Sequence, residues 1–372
     1  MKICFISSDY PEKGRPVFPF VKNLVDALAD RGHECTVIAP FSITHNKRIC
    51  KFREVYKTLK GNKVTVLRPN HFSFSNFTIA GWRPSSYFRY RAVQRALKKL
   101  NFKPDVVYGH FWGMAYEGYA YAFANKIPLV VATGESEIPL FNVEGLQDFC
   151  EYVSGVICVS SKNKQESIDK GLTTEDKCVV IPNAINNVIF KLLDKQKCRQ
   201  QLSIPDEAFV VISVGAFIER KGINRVAEAI NGIDKKIYSI FIGRGPEHPK
   251  CNNILYCGRV DNIDIPIYLN AADVFVLPTL KEGCCNAIVE AMACGLPIIS
   301  SDLSFNHDIL DKSNSILIDP MNIDEIKDAI IKLYEDRELK NKLANASYEN
   351  SKYLTIDVRA KRVEEFIEHL LN

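Results

Sequence analysis

Two glutamates, Glu282 and Glu290, are the residues of this sequence whose types and spacing most clearly point to chemistry. An apolar run ends at Leu277, a short loop carries Glu282, and a helical pattern carries Glu290. A carboxylate offers two acceptor oxygens, so it can accept hydrogen bonds from two neighbouring donor groups of a ligand. The pattern predicts Glu282 at the carboxyl edge of a sheet, where open α/β sheets bind ligands.

The helix that carries Glu290 has clear end signals. We predict that Asn286 caps it, that it runs to Cys294 and that Gly295 stops it. Backbone N–H groups at its entrance could meet phosphate or sugar hydroxyls. The residues of this entrance are Gly283, Cys284 and Cys285. A solvated helix position is the alternative interpretation of Glu290.

An anionic ligand here would need positive side chains, because no Asp-x-Asp arrangement or His cluster suggests a metal. We therefore expect no metal and no cofactor. Lys221, in ERKG, stands before a helical pattern, with Arg220 beside it. Arg244, in a GRGP turn, is a further candidate. A solvated helix start would also account for Lys221 and Arg220.

The elements that must position these residues follow one order twice. From Lys2 to Pro40 the sequence reads strand, helix, strand, and the same order recurs from Phe209 to Gly243. Two Rossmann-like domains with parallel sheets are therefore predicted. Further strands are expected at Asp105–Gly109, Pro128–Ala132, Gly155–Val159, Cys178–Ile181, Asp273–Leu277 and Pro297–Ser300. We assign residues 1–190 to the first domain, 191–355 to the second and 356–372 to a helix that crosses back to the first.

Composition agrees with a two-domain globular protein. The 372 residues are 47% hydrophobic and 25% charged, which favours neither disorder nor a membrane-spanning protein. The 48 Lys and Arg nearly balance the 44 Asp and Glu, so we expect no nucleic-acid partner. The 12 cysteines form no C-x-x-C pair. The first apolar run, Ile3–Ser7, is too short for a signal peptide, and we expect a cytoplasmic protein.

In these motifs the chain resembles glycosyltransferase family 4, whose retaining enzymes have the two-domain GT-B fold. Glu282 and Glu290 match the family's E-x7-E motif, and the resemblance covers nearly the whole chain. The other matching segments are SSDYP, ALADRGHECTVIAP, PDVVYGHFWG, VIPNAI, VGAFIERKG, EAMACGLPII and DLSFNHDIL. The resemblance implies two domains that face each other across a cleft. It also implies transfer of a sugar from a UDP- or GDP-linked donor to a glycan or lipid-linked acceptor, in polysaccharide or glycolipid assembly.

The resemblance also implies roles for particular residues. Glu290 would accept hydrogen bonds from the ribose, Glu282 would touch the donor sugar, and Lys221 would bind phosphate. The family's arginine after Gly215 is Ala216 here, so Arg220 or Arg244 would supply the missing charge. The other expected donor-binding residues are Gly215, Gly283, Cys284, Cys285, Asn286, Arg259 and Gly14. Two cysteines replace the family's frequent Phe-Gly.

In the first domain the match to the family is looser. The loop from Asp9 to Phe20 retains only Gly14 of the family's frequent glycine pair. His110 takes the second position of the frequent H-x-H, and a catalytic and a structural role are both open. The family's later histidine aligns to Gly134, and Glu135, Ser136 and Glu137 follow it, so acceptor chemistry could differ.

Three alternatives remain open. Residues 82–100 are basic and aromatic, and they could lie on an anionic membrane or form a core helix with a solvated basic face. A dehydrogenase would begin each domain with a Rossmann unit, but the G-x-G-x-x-G fingerprint is missing. A non-catalytic module that binds sugar nucleotides or glycans would explain the departures at Ala216, Tyr108 and Gly134.

Overall fold

A computed structural model describes residues 1–12, 17–74, 77–78, 83–138 and 145–372. It divides the chain into two compact units. Unit 1 comprises Met1–Val159, Asn163–Ile181 and Arg359–Asn372. Unit 2 comprises Ser160–Lys162 and Pro182–Val358. The chain therefore returns to unit 1 within its last helix.

Unit 1 is built on a sheet of eight strands within the described residues, in the order β10-β9-β8-β7-β1-β2-β5-β4. All neighbours are parallel except β4 and β5. The strands are β1 Lys2–Ile6, β2 Glu34–Ile38, β4 Arg53–Lys57, β5 Lys63–Leu67, β7 Val106–His110, β8 Leu129–Thr133, β9 Val153–Cys158 and β10 Cys178–Val180, and a separate short pair joins β3 Phe41–Ser42 to β6 Asn70–His71. Central strands β7 and β8 are buried throughout, which explains their continuous apolar runs.

Helices cover this sheet and contribute to its core. They are α1 Pro19–Asp30, α2 Ile43–Asn46, α3 Pro84–Leu97, α4 Trp112–Asn125, α5 Leu146–Tyr152 and α6 Ser161–Asp169, with a 3-10 turn at Glu175–Lys177. The apolar spacing of α1 places Val21, Leu24, Val25 and Leu28 on one buried face. Pro19 begins this helix, where its missing N–H is not needed.

Unit 2 contains a wholly parallel sheet in the order β13-β12-β11-β14-β15-β16. Its strands are β11 Phe209–Val214, β12 Ile237–Ile242, β13 Ile254–Gly258, β14 Val274–Leu277, β15 Ile298–Ser301 and β16 Ser315–Ile318. Its helices are α7 Lys195–Gln201, α8 Ile223–Asn231, α9 Ile265–Ala271, α10 Asn286–Ala293, α11 Ile323–Glu335 and α12 Arg337–Ser351, with 3-10 turns at Glu219–Lys221 and Lys352–Leu354. The last helix, α13 Ile356–Leu371, ends the chain.

The buried strands predicted from apolar runs are confirmed to within two residues. Sequence patterns missed β4, β5, β13 and β16. Three of these lie at the edge of a sheet, where half-exposed residues do not form a continuous apolar run. Asp336 separates α11 from α12, and its side chain caps α12 by accepting from the N–H of Leu339.

The change from unit 1 to unit 2 lies at 181/182 rather than at the predicted 190/191. Residues after Ile181 already make their contacts within unit 2. Asn183 donates to the carbonyl of Cys284 at 2.9 Å, and the side chain of Asn270 donates to the carbonyl of Lys191 at 3.1 Å. These contacts fasten the segment to unit 2.

The turn after β12 leaves no room for a side chain at Gly243, and this packing is testable. A Cβ there would lie 1.8 Å from the carbonyl oxygen of Gly215, at a φ of 156°. Gly243→Ala should lower the free energy of unfolding by roughly 1 to 3 kcal/mol, measured by urea denaturation. Gly232→Ala is the matched control, because its Cβ would make only ordinary contacts from 3.4 Å outward. Equal losses in both variants would contradict the packing.

Candidate active site

The predicted residues of unit 2 gather where the strand order of its sheet reverses. From β11 the chain moves to β12 on one side and later to β14 on the other. The carboxyl ends of β11 and β14 therefore flank a topological switch point, the place where open α/β sheets form ligand sites. The loop at 215–222 follows β11, and the loop at 278–285 follows β14.

One carboxylate oxygen, Oε1 of Glu282, joins these two loops. It lies 2.6 Å from Nη1 of Arg220 and 2.7 Å from Nζ of Lys221. The hydroxyl of Thr279 donates to the same oxygen at 3.1 Å. Only 13% of the Glu282 side chain is exposed, so water screens these charges weakly. The sequence named both cations and the carboxylate, and the structure brings the three together.

Buried residues that the sequence did not single out hold the two loops against each other. Arg225 donates through Nη2 to the carbonyl of Pro278 at 3.0 Å and through Nη1 to that of Glu219 at 3.2 Å. Gly222, with a φ of 71°, passes so close to Pro278 that a Cβ would lie 2.5 Å from its carbonyl oxygen. An arginine on the buried face of α8 was the available signal, because a buried guanidinium needs partners.

Lys221 remains a cation in this environment. Burial lowers the pKa of its amine, but the Cys285 thiolate, which forms only at high pH, and the Glu282 carboxylate outweigh that effect and leave the pKa above its ordinary value. Its Nζ lies 3.9 Å from Sγ of Cys285. Burial raises the pKa of the Cys285 thiol, so the thiol stays neutral near pH 7. The pair of cations thus faces a single negative charge and keeps an excess of positive charge.

The start of α10 differs from the prediction. Asn286 is the first helical residue and not the cap; Cys285 takes the cap position without a side-chain cap bond. The helix ends at Ala293, so Cys294 lies just beyond it. The side chain of Asn286 therefore does not cap the helix. Its Oδ1 is buried and accepts no hydrogen bond from the described residues. Gly283 and Cys284 are buried in the preceding loop.

Glu290 lies in α10 in a desolvated environment. Burial raises the pKa of its carboxyl from 4.5 to about 8. Within the part of the chain that the structure describes, no hydrogen-bond donor or cation contacts this carboxyl. It is therefore neutral near pH 7 and can both accept and donate a hydrogen bond.

Of the other residues expected at the donor site, Gly215 lies against the side chain of Lys221, whereas Arg244 and Arg259 make no contact with the Glu282 carboxylate. Arg244 is exposed, and it forms no ion pair with the described residues. Arg259 lines a separate cavity of about 590 Å³, together with Tyr256 and Tyr268. Gly215 extends β11 by donating to the carbonyl of Ile242 at 2.9 Å. Gly14 lies outside the described residues.

The sheet of unit 1 has its own switch point between β1 and β7, and His110 lies there. Burial lowers the pKa of His110 to about 3, with a further contribution from the charge of Arg359. Neither ring nitrogen has a hydrogen-bond partner among the described residues. The rings of Phe20 and Phe111 pack on it, with centroids at 5.4 and 4.4 Å. His110 is thus a neutral imidazole with two buried ring nitrogens that no described residue contacts by a hydrogen bond.

Strain and a second carboxyl mark the same edge of unit 1. Phe111 has a φ of 78°, a conformation that costs a bulky residue energy and often occurs at functional sites. Glu135, after β8, accepts from the hydroxyl of Thr133 at 2.6 Å and from the N–H of Gly134 at 2.9 Å. Burial raises the pKa of this carboxyl, although its hydrogen bonds oppose the rise.

Among the described residues, no group of three or more His, Cys, Asp or Glu side chains is placed to hold a metal ion.

Models of known protein families match both halves of the chain. Residues 19–187 match the model described as Glycosyltransferase Family 4. Residues 194–350 match the model described as Glycosyl transferases group 1. The two matches leave out only residues 1–18, 188–193 and 351–372.

Relatives cover the chain almost completely. It is 27% identical to a Bacillus subtilis (strain 168) protein assigned, as a glycosyltransferase, to teichuronic acid biosynthesis, over 94% of this chain and 93% of that protein. It is 24% identical to the N,N'-diacetylbacillosaminyl-diphospho-undecaprenol alpha-1,3-N-acetylgalactosaminyltransferase of Campylobacter jejuni, over 100% and 99%. The Anabaena HepE structure with UDP and glucose matches with a TM-score of 0.72 at 18% identity, over 99% and 100%.

The raised pKa of Glu290 predicts a specific dependence of stability on pH. Between 4.5 and about 8 the unfolded chain loses this proton while the folded chain keeps it, so the free energy of unfolding falls as pH rises. The slope is at most about 1.4 kcal/mol per pH unit. Glu290→Gln cannot ionise, so its stability relative to the wild type should grow from about pH 5 to about pH 8 in urea denaturation.

Exposed Glu335 at the end of α11 supplies the control for this experiment. Glu335→Gln should differ from the wild type by the same small amount at each pH. A constant difference for Glu290→Gln as well would show that the Glu290 carboxyl is not desolvated.

Proposed function

The chain belongs to the group 1 glycosyltransferases and has the GT-B fold, and we propose that its donor is a nucleotide-diphosphate sugar, UDP- or GDP-linked. The observation that carries the proposal is the pair of cations, Arg220 and Lys221, on one Glu282 oxygen at the switch point of unit 2. The negative charge of a leaving nucleotide diphosphate needs such stabilisation. HepE, a structural neighbour, was solved with UDP.

Each residue of the cluster then has a distinct task. Lys221, which burial and Glu282 hold in place, would bind the diphosphate as a fixed charge. Arg220 would supply the charge that Ala216 cannot. Glu290 would meet the ribose hydroxyls, and its neutral carboxyl can accept one hydrogen bond and donate another. Glu282 would contact the donor sugar while it keeps both cations oriented.

We propose that transfer retains the configuration of the sugar. The bond between the anomeric carbon and the phosphate oxygen breaks, and the pair of electrons leaves with the nucleotide diphosphate. The acceptor oxygen forms its bond to the same face of that carbon. The acceptor's proton passes to the departing phosphate oxygen, so no protein nucleophile is required. Positioning and electrostatic stabilisation, which the cluster supplies, would carry this reaction.

For the acceptor we propose a glycan or a lipid-linked saccharide in polysaccharide or glycolipid assembly. Two relatives support this class: one is assigned to teichuronic acid biosynthesis, and the name of the other specifies an undecaprenol-diphosphate-linked saccharide. In unit 1, the ring nitrogens of His110, which no described residue contacts by a hydrogen bond, would bind an acceptor hydroxyl. At its pKa of about 3, His110 would act as a neutral hydrogen-bonding group and not as a cation.

The donor proposal can be tested together with its metal requirement. The purified chain is exhaustively chelated, incubated with a panel of UDP- and GDP-sugars and saccharide acceptors, and its products are analysed by mass spectrometry. We expect sugar transfer from one donor without a metal, because side-chain cations stabilise the phosphate. Activity that disappears on chelation and returns with magnesium or manganese would contradict this assignment of the phosphate site.

The roles of Arg220 and Lys221 predict a pattern among variants. Arg220→Ala and Lys221→Ala should each lower kcat/KM by about 100- to 1,000-fold. The double variant should lose less than the product of these factors, because groups that stabilise one charge act as a unit. Ala216→Arg should partly rescue Arg220→Ala, since position 216 is exposed and can take the longer side chain.

Lys235, an exposed lysine before β12, provides the matched control. It precedes the amino end of its strand, whereas the cluster lies beyond the carboxyl ends. Lys235→Ala should leave kcat/KM unchanged. Full activity in Arg220→Ala would show that another side chain supplies the charge, with Arg244 the next to examine.

A further inference from the structure

Positive charge is unevenly distributed along this chain. Residues 55–104 contain eleven Lys and Arg and no Asp or Glu. The remaining residues carry 37 Lys and Arg against 44 Asp and Glu. The near balance of the whole chain therefore hides a strongly basic segment within an acidic remainder. Such a segment attracts an anionic surface.

Helix α3 displays part of this charge on one face. Val93, Ala96 and Leu97 belong to the hydrophobic core of unit 1. At 100° per residue, Tyr87, Phe88, Arg91 and Arg95 fall on the opposite side, and all four are exposed. Arg89 lies elsewhere on the helix and pairs with Glu117 at 2.5 Å. The exposed face of α3 is therefore basic along its length and aromatic at its start.

Two aromatic side chains of the preceding segment join this face. The ring of Phe88 lies 6.4 Å from that of Phe72 and 6.0 Å from that of Phe74. Phe72, Phe74 and Tyr87 are 51%, 47% and 46% exposed, and Phe88 is 36% exposed. A cluster of exposed aromatic rings on the surface of a folded protein is typical of an interaction site. We term Phe72, Phe74, Tyr87, Phe88, Arg91 and Arg95 the aromatic-basic face.

We propose that the aromatic-basic face docks unit 1 on the surface of an anionic lipid bilayer. Cations next to clustered aromatic rings fit the headgroup region, where phosphates pair with arginine and the rings enter the acyl boundary. The rings of this cluster contact one another tilted or edge-on, so they form a compact aromatic cluster and not one coplanar surface.

The docking would be peripheral. Among the described helices none combines the length and the apolar content that a membrane span requires. Docking also serves the proposed function, on which this part of the inference rests, because it would concentrate the enzyme where a lipid-linked acceptor lies.

Vesicle sedimentation with the full chain tests the proposal. Binding should be strong to vesicles of phosphatidylcholine mixed with phosphatidylglycerol, weak to phosphatidylcholine alone, and reduced by salt. Arg91→Glu/Arg95→Glu should lower the partition coefficient by roughly tenfold or more. Phe88→Ser should weaken binding with little change in its salt dependence. Lys235→Glu/Lys236→Glu, which changes the same charge on unit 2, should bind like the wild type.

The outcomes separate docking from the proposed reaction. The α3 variants should keep transfer to a water-soluble acceptor and lose transfer to a vesicle-bound one. Wild-type vesicle binding by Arg91→Glu/Arg95→Glu, equal losses in the unit 2 control, or displacement of vesicles by single-stranded RNA would overturn the docking proposal. Failure of transfer to every acceptor, with vesicle binding intact, would instead overturn the proposed function. Thermal unfolding and nucleotide calorimetry confirm that each variant is folded.

Discussion

A single carboxylate oxygen holds two cations at the carboxyl edge of the second sheet, and the catalytic proposal depends on this contact. Arg220 and Lys221 are neighbours in sequence and would repel each other without Glu282. The contact is possible because β11 and β14 are adjacent parallel strands whose following loops emerge at one edge. Arg225 and the close approach of Gly222 to Pro278 then hold the two loops against each other. An excess of positive charge is thereby organised before any ligand arrives.

The two sheet edges differ in electrostatic character. The edge of unit 2 carries two cations and an ionised carboxylate, which suits a diphosphate. The edge of unit 1 carries a neutral histidine, a buried carboxyl at Glu135 and aromatic rings, which suits a polyhydroxylated acceptor. Burial produces this difference, because it removes the charge of His110 but not that of Lys221, whose partner compensates for the lost solvent.

Departures from the family pattern fall where other groups can compensate. Ala216 lacks a charge that Arg220 can provide from the same turn. Cys285 stands where the family often has glycine, and its buried thiol packs beside Lys221 without adding a competing negative charge near pH 7. Arg91 and Arg95 belong to unit 1 and Arg220 and Lys221 to unit 2, so the charge proposed to meet a membrane and the charge proposed to bind the donor are separate features of the fold.

The sequence by itself determined the two βαβ starts, the parallel sheets and most of the buried strands, because a strand covered on both faces must be continuously apolar. It also identified Glu282, Lys221 and Arg220, because charged residues in loops after such strands lie at the ligand edge. Only the tertiary structure decided that all three meet at one oxygen, that Arg225 locks their loops, and that Asn286 is not a cap. It alone decided that Glu290 and His110 are uncharged near pH 7 and that Phe72 and Phe74 join Phe88. These outcomes depend on burial and on contacts between residues distant in the chain, which local periodicity does not encode.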